Sequence, residues 1–332
     1  MPVDDERMQS LQALRSQFSQ ALKDFASSSS SFRILRSIPG THAPSSAPVC
    51  TLFVLDSSFN PPSKAHSSLV KSALSSSTLT RRSSSESSDS LTSHAPQRVL
   101  FLLATVNADK KPKPADFEDR LVMMTLMAED LRGRLSNQDS SQKSQSQQDH
   151  PPATIPVIDI GITKEPYFTD KATSIAQSNI YTPSSPNPED DVEQVHITGF
   201  DTLTRIFTSR YYPNSDPPLA ALEPFLSRHR IHATIRVESS SANDDDLEDE
   251  FGTVEKQQGY LDRLAKGGLE GEGLKREWVD QVQLAVDESG EADGVSSTSA
   301  RECVQGGKIG ELGQYVCEGV KEWIVERGLY RD

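Results

Sequence analysis

A short apolar run that turns into a helix through two consecutive prolines constrains this chain more than any other stretch. Cys50 to Leu55 is almost unbroken in apolar residues and reads as a strand buried on both faces. It continues as Asp56-Ser57-Ser58-Phe59-Asn60-Pro61-Pro62-Ser63-Lys64-Ala65-His66. A residue that precedes proline avoids the α region, so Asn60 and Pro61 are not helical. Ser63 is then placed to cap a helix whose first turn holds Lys64, Ala65 and His66. Leu69, Val70, Ala73 and Leu74 supply that helix with one apolar stripe. A strand end, a tight turn and a helix start gather free backbone N–H groups and the positive end of the helix dipole at one spot. Such a spot suits phosphate. Ser63 and His66 are three apart and can face the same ligand.

The same alternation continues along the chain. Val99 to Val106, Ile155 to Ile160, Val195 to Thr198, Ile231 to Val237 and Val282 to Val286 read as further strands. Asp116 can cap a helix with the stripe Phe117, Leu121, Met124, Ala128 and Leu131. A last helix carries Leu312, Val316, Val320, Trp323 and Ile324, with Gly328 able to stop it. Strands separated by helices argue for a parallel, doubly wound α/β sheet, in which ligands bind beyond the carboxyl ends of the strands. Ahead of this pattern, Met8, Leu11, Leu14, Phe18, Leu22 and Phe25 mark an amphipathic helix over about residues 4–26, and Phe32 to Ile38 an extra edge strand.

Only 35% of the 332 residues are hydrophobic, which favours one core broken by unstructured inserts over two cores. Residues 1–48 are expected to form an N-terminal helix and edge segment. Residues 49–332 are expected to form a single domain with low-complexity inserts at about 75–97, 136–152 and 238–250. The net charge of −14 and the lack of a long basic patch argue against nucleic acid as a partner. Cys50, Cys303 and Cys317 have no C-x-x-C spacing, which fits a reducing compartment and no structural zinc. The N-terminus holds Asp4, Asp5 and Glu6 and no apolar run of a signal peptide. No apolar run reaches the ~20 residues of a membrane span. The expected location is cytoplasmic, with the nucleus as a second compartment.

Four further stretches carry chemistry. Ser296-Ser297-Thr298-Ser299-Ala300-Arg301 follows the last expected strand and opens a helix. Hydroxyls and free N–H groups at a helix start bind phosphate oxygens, and a guanidinium one turn in can grip two at once. The rival reading is a capped helix with an arginine in solvent. Gly199-Phe200-Asp201 follows the fourth strand of the alternation; its Gly permits close approach and its Asp can accept from a ribose hydroxyl. Asn107 to Pro114 holds Lys110, Lys111 and Lys113, which can meet a phosphate or simply be solvated. Tyr167 and Phe168 can stack on a base or belong to the core.

Phe59, Asn60, Pro61 and His66 match the first signature of the adenylyltransferase superfamily, G-[ST]-F-[ND]-P-x-[HT]-x-x-H. Ser58 fills its small hydroxyl position, Ser63 stands where the family has His or Thr, and Ser57 where it usually has Gly. Val295 to Arg301 resembles the family's I-S-S-T-x-x-R, and Glu322 to Tyr330 its Y-I-x-x-x-x-L-Y ending, with Trp323 at the first aromatic position. Asp56-Ser57-Ser58-Phe59-Asn60-Pro61-Pro62 is most similar to a fungal branch of nicotinamide-nucleotide adenylyltransferase-like proteins.

The resemblance implies a Rossmann-like nucleotidyltransferase fold and adenylyl transfer from ATP to nicotinamide mononucleotide, giving NAD and pyrophosphate. It implies catalytic roles for His66 and Arg301. ATP would be met by Ser58, Phe59, Ser63, His66, Asp201, Ser297, Thr298 and Arg301. The mononucleotide or NAD would be met by Ser58, Phe59, Lys110, Gly199, Asp201 and Tyr167. Mg²⁺ would come with ATP and be held by phosphate oxygens and water rather than by a carboxylate cage. Two alternatives stay open. One is a transferase on the same fold that uses CTP or another phosphate acceptor. The other is a nucleotide-binding regulatory or scaffold protein with weak turnover.

Overall fold

The computed structural model describes residues 5–39, 48–83, 96–106, 115–143, 155–183, 192–235, 253–286, 292 and 294–331. Its centre is one seven-stranded sheet. The strands are β1 (Phe32–Ile38), β2 (Thr51–Asp56), β3 (Gln97–Ala104), β4 (Val157–Thr163), β5 (Glu193–Gly199), β6 (Arg230–Ile235) and β7 (Val282–Val286). They lie in the order β1-β4-β3-β2-β5-β6-β7. All pairs from β4 through β7 are parallel, and β1 runs antiparallel along β4. From β2 the chain steps outward to β3 and β4, then returns to the opposite side of β2 for β5, β6 and β7. The order therefore reverses between β2 and β5, and a crevice for ligand forms beyond the carboxyl ends of those two strands.

The helices are α1 (Asp5–Ser27), α2 (Lys64–Ser83), α3 (Phe117–Lys143), α4 (Phe168–Gln177), α5 (Phe200–Ile206), α6 (Glu223–Leu226), α7 (Val254–Ala265), α8 (Ser297–Gln305) and α9 (Glu318–Arg327). Side chains of a strand alternate between faces, and both faces of this sheet are covered. Phe53 and Leu55 of β2 join Phe25, Phe101, Leu121, Met124 and Trp323 in the larger core, whereas Leu52 and Val54 join Leu100, Leu102 and Ile175 on the other face. This is why β2 and β3 are apolar throughout rather than at every second position. α1 is fastened to α3 by Arg15, whose Nε and Nη2 meet the two oxygens of buried Asp119 at 2.9 and 3.0 Å.

β1 is held to the sheet by a buried polar group. Arg98 of β3 grips Asp159 of β4 with Nε at 2.5 Å and Nη2 at 2.9 Å. Ser37 of β1 donates to Asp159 at 2.5 Å, and Tyr181 donates to it at 2.9 Å. Every oxygen of this buried carboxylate has a donor, the condition under which such a group is tolerated in a core.

The chain departs from the sequence expectation in two places. The last helix is not continuous from Leu312. A tight turn of helix at Ile309–Gln314 is followed by a fresh start behind Cys317, although Leu312 and Val316 are still fully buried. Gly310 and Gly313 lie in this stretch, and glycine weakens a helix interior. Gly328, at φ 61°, ends α9 as expected. Helix also runs further than composition suggests: α2 extends to Ser83 and α3 to Lys143, so each enters a low-complexity stretch. Serine costs a helix only tenths of a kcal/mol, about 0.5 relative to alanine. Residues 84–95, 144–152 and 238–250 lie outside the described residues. Among the described residues no helix is long and apolar enough to cross a membrane.

His196 on β5 and His232 on β6 are buried. Burial, followed by the charges of His229 and Lys171, holds His196 well below the ordinary histidine pKa. Burial also lowers His232, against a hydrogen bond with Gln283 and with Arg230 adding. The unfolded rings take up protons below about pH 6.5, whereas the folded ones resist. Stability from these groups is present above that pH and is lost as pH falls towards the folded pKa. Urea titrations at pH 7.5 and 5.5 should give a lower midpoint at pH 5.5, with a smaller drop in His232→Gln.

Candidate functional site

The carboxyl end of β2 passes directly into the turn that precedes α2. Ser57 N donates to Leu102 O of β3 at 3.2 Å, so the first residue after the strand is still tied to the sheet. Phe59 follows with φ 44°, a left-handed value that is uncommon for a residue with a side chain. Such a conformation costs on the order of 1–3 kcal/mol and persists only where its surroundings hold it. Here the Phe59 ring is fully buried, 5.7 Å from Phe101 and 5.1 Å from the ring of His66.

His66 is the third residue of α2, and both ring nitrogens are engaged. Its Nδ1 lies 3.0 Å from the backbone N of Ser63, which donates to it, and 3.0 Å from Ser63 Oγ. The third residue of a helix thus reaches back to the capping residue, as a glutamate does in a capping box. Its Nε2 lies 2.9 Å from Ser57 Oγ. The imidazole is thereby fixed between the strand end and the helix start.

The C-terminal part of the chain grips this turn. Pro61 and Pro62 have no N–H, so the turn meets its neighbours with carbonyl oxygens. Ser297 Oγ donates to Pro61 O at 2.7 Å, and Arg301 Nη1 donates to Asn60 O at 2.6 Å. Arg301 Nη2 donates to Thr298 Oγ1 at 3.0 Å. The Tyr330 hydroxyl donates to Asn60 Oδ1 at 2.8 Å in a buried contact. Lys64 adds its backbone N to Tyr315 O at 2.8 Å and its Nζ to Gly313 O at 2.6 Å. α8 begins as the sequence suggests: Ser296 caps it by accepting from Ser299 N at 2.9 Å.

The local electrostatics are positive. Arg120 of α3 donates to Ala115 O at 3.0 Å and reaches Ser58 O at 3.5 Å. Its pKa is lowered, first by burial and also by the charge of Arg301 nearby. Burial raises the pKa of Tyr330, keeping its hydroxyl a donor. The carboxylate that ends β2, Asp56, is met by Lys171 Nζ of α4 at 2.5 Å. Among the described residues no group of three or more His, Cys, Asp and Glu side chains could hold a metal ion.

The structure therefore joins Ser58, Phe59, Ser63, His66, Ser297, Thr298 and Arg301 through direct contacts around one turn. Gly199 ends β5, the strand beside β2, and Asp201 is exposed in the first turn of α5; both flank the reversal of the sheet. Tyr167 precedes α4, is 37% exposed, and makes no side-chain hydrogen bond with the turn. Phe168 is half-buried and packs against the core, with the rings of His196 and Phe225 each 4.7 Å away. Lys110 and Lys113 lie outside the described residues. Trp278 and Trp323 are buried in separate core clusters. Sequence reasoning gave no part to the Asp56–Lys171 pair or to the Tyr330 hydroxyl. Only Tyr330 carried a signal, as the last aromatic of the chain.

The strand order, with a polar turn at its reversal and a second helix start docked on that turn, defines a doubly wound, Rossmann-like α/β protein. No family model matches the chain. Over 290 residues it is 28% identical to a Schizosaccharomyces pombe protein described as "Putative nicotinamide mononucleotide adenylyltransferase", covering 87% of each chain. Solved structures of a Plasmodium falciparum nicotinic acid mononucleotide adenylyltransferase resemble it loosely. The complex with NaAD has 12% identity, covers 84% of this chain and 97% of that one, and has a TM-score of 0.44. The complex with APC has 13% identity, covers 84% and 96%, and has a TM-score of 0.41. The motifs and the curated relative agree: the chain is similar to nicotinamide-nucleotide adenylyltransferase-like proteins.

Removing the Tyr330 hydroxyl strands a buried acceptor on Asn60. Tyr330→Phe should lower the unfolding free energy by about 1–3 kcal/mol in denaturant titrations, with the aromatic packing kept.

Proposed function

We propose that the protein transfers the adenylyl group of ATP to nicotinamide mononucleotide, giving NAD and pyrophosphate. The observation that carries this reading is the contact of Arg301 and Ser297 with the Asn60–Pro61 turn beside His66, at the reversal of a parallel sheet. The name of the curated relative supports the substrate class. A phosphate oxygen of the mononucleotide attacks the α-phosphorus of ATP. The bond from that phosphorus to the oxygen bridging to the β-phosphate breaks, and pyrophosphate leaves with the electron pair. No covalent intermediate with the chain is required.

Such a reaction is catalysed by positioning and by stabilising charge. His66, fixed by Ser57 and Ser63, stands where it can serve the triphosphate. Arg301 spends two of its five N–H donors on Asn60 and Thr298, which leaves others for the leaving phosphates. The N–H groups at the start of α8, with Ser297 and Thr298, would border the same phosphates. Gly199 and Asp201 would meet the nucleoside side across the reversal, Ser58 and Phe59 would border both substrates, and Lys110 and Tyr167 would serve the mononucleotide. A magnesium ion would arrive on ATP, held by its phosphates, while Asp56 stays paired with Lys171. That ion supplies neutralisation of phosphate charge.

Incubation of the protein with ATP and, in separate reactions, nicotinamide mononucleotide or its nicotinic acid counterpart, with CTP in place of ATP as a control, tests the reading. NAD and pyrophosphate should form from the first pair. Absence of any dinucleotide from either acceptor would overturn it. His66→Ala should lower kcat about 10²–10³-fold with a smaller effect on ATP affinity. Arg301→Lys, which keeps the charge and loses the two-pronged grip, should weaken ATP binding in calorimetry and leave the mononucleotide unaffected.

A further inference from the structure

Ser57 occupies the position where related signatures usually have glycine. The usual benefit of glycine there is close approach of the backbone to a ligand. In this chain Ser57 brings a Cβ to that point, and its backbone N is already committed to Leu102 O at 3.2 Å. What Ser57 offers is its hydroxyl, and the hydroxyl is 2.9 Å from His66 Nε2.

The other side of the ring decides the direction of that hydrogen bond. A backbone N–H can only donate, and Ser63 N donates to His66 Nδ1 at 3.0 Å. Nδ1 is therefore the unprotonated nitrogen, and the neutral ring carries its proton on Nε2. Nε2–H donates to Ser57 Oγ, and the Ser57 O–H remains to be given to another acceptor. A serine activated as a nucleophile needs the opposite tautomer, with a lone pair on the nitrogen that faces it. The Ser57–His66 pair is thus not a nucleophile with its base but a chain of two donors pointing one way.

We propose that Ser57 is a nucleotide-binding residue: its hydroxyl, polarised by His66 Nε2–H, donates to a phosphate oxygen of the bound nucleoside triphosphate. Donation to a charged oxygen is stronger than to a neutral one, and a donor that itself accepts a hydrogen bond is strengthened further. Ser57 lies immediately after β2, at the carboxyl edge where the sheet order reverses, and both Ser57 and His66 are only partly buried. With both ring nitrogens engaged, His66 acts on the triphosphate through Ser57. The inference rests on the reading of the site as a nucleoside triphosphate site. It does not require a particular acceptor for the adenylyl group.

The test is ATP titration calorimetry on the full chain and on Ser57→Ala, Ser57→Gly and Ser57→Thr, alongside transfer assays. Ser57→Ala and Ser57→Gly should lose ATP affinity roughly ten- to a hundredfold, the scale of a hydrogen bond to a charged group. Ser57→Thr keeps the hydroxyl and should restore most of it. Mononucleotide affinity should not change. In the nucleotide-free protein, nitrogen NMR of His66 should report the Nε2–H tautomer in wild type. Thermal midpoints and the unchanged mononucleotide affinity separate a binding loss from misfolding. Equal or tighter ATP binding by Ser57→Ala or Ser57→Gly would make Ser57 a placeholder that competes for the imidazole, and would overturn the proposal. So would an Nδ1–H tautomer, or a wild-type chain that binds no nucleoside triphosphate. A wild-type chain that binds ATP but forms no dinucleotide would sink the adenylyl-transfer reading alone and leave the Ser57 result to stand or fall by the affinities.

Discussion

The rest of the site depends on the hydrogen bond from Arg301 to the carbonyl of Asn60, a contact between residues 241 positions apart. Proline removes two donors from this turn, so at Pro61 and Pro62 the backbone can be held only through its oxygens. A guanidinium, a serine hydroxyl and a tyrosine hydroxyl supply what it lacks. Hydrogen bonds that involve a charge contribute about 1.5–3 kcal/mol each, more than neutral ones. The first and last parts of the chain are thereby joined at the place where the sheet changes direction.

That junction also accounts for the conformation of Phe59. Its left-handed backbone is unfavourable by itself, yet it turns the ring into the core and sets the following residues on the path to α2. The ring then packs against His66, whose two nitrogens are fixed by Ser57 and Ser63. Local strain, burial and polar contacts hold one geometry before any ligand arrives. A site that works by positioning gains from this, because little needs to rearrange as charge develops.

The two ends of the strands have different tasks. Near the amino ends of β3 and β4, Asp159 is saturated by Arg98, Ser37 and Tyr181, and the polar groups there are used up in fastening β1. At the carboxyl ends of β2 and β5, polar groups keep capacity to spare: Arg301 has unused donors, the start of α8 has free N–H groups, and Asp201 is exposed. Parallel strands put all carboxyl ends on one edge, so this separation follows from the topology.

Apolar runs without alternation sufficed to foretell a parallel sheet, since only a strand covered on both faces reads that way. The strand–turn–helix at Leu55 to His66 and the capped start at Ser296 were equally legible, because prolines and capping serines act within a few residues. The Ser-rich stretches misled: serine discourages a core but scarcely opposes helix, and α2 and α3 run on to Ser83 and Lys143. The break before α9 was hidden because Leu312 and Val316 keep helical spacing although the backbone between them does not. The sequence by itself determined which segments are strands, which turn is polar and which residue types gather near it. Only the tertiary structure decided that Arg301 holds Asn60, that Tyr330 caps the turn, that Arg120 lies beside it, and that Ser57 faces His66. Those contacts depend on strand order and on the direction of individual side chains. They form between residues far apart in the chain, where spacing along the sequence carries no information about distance in space.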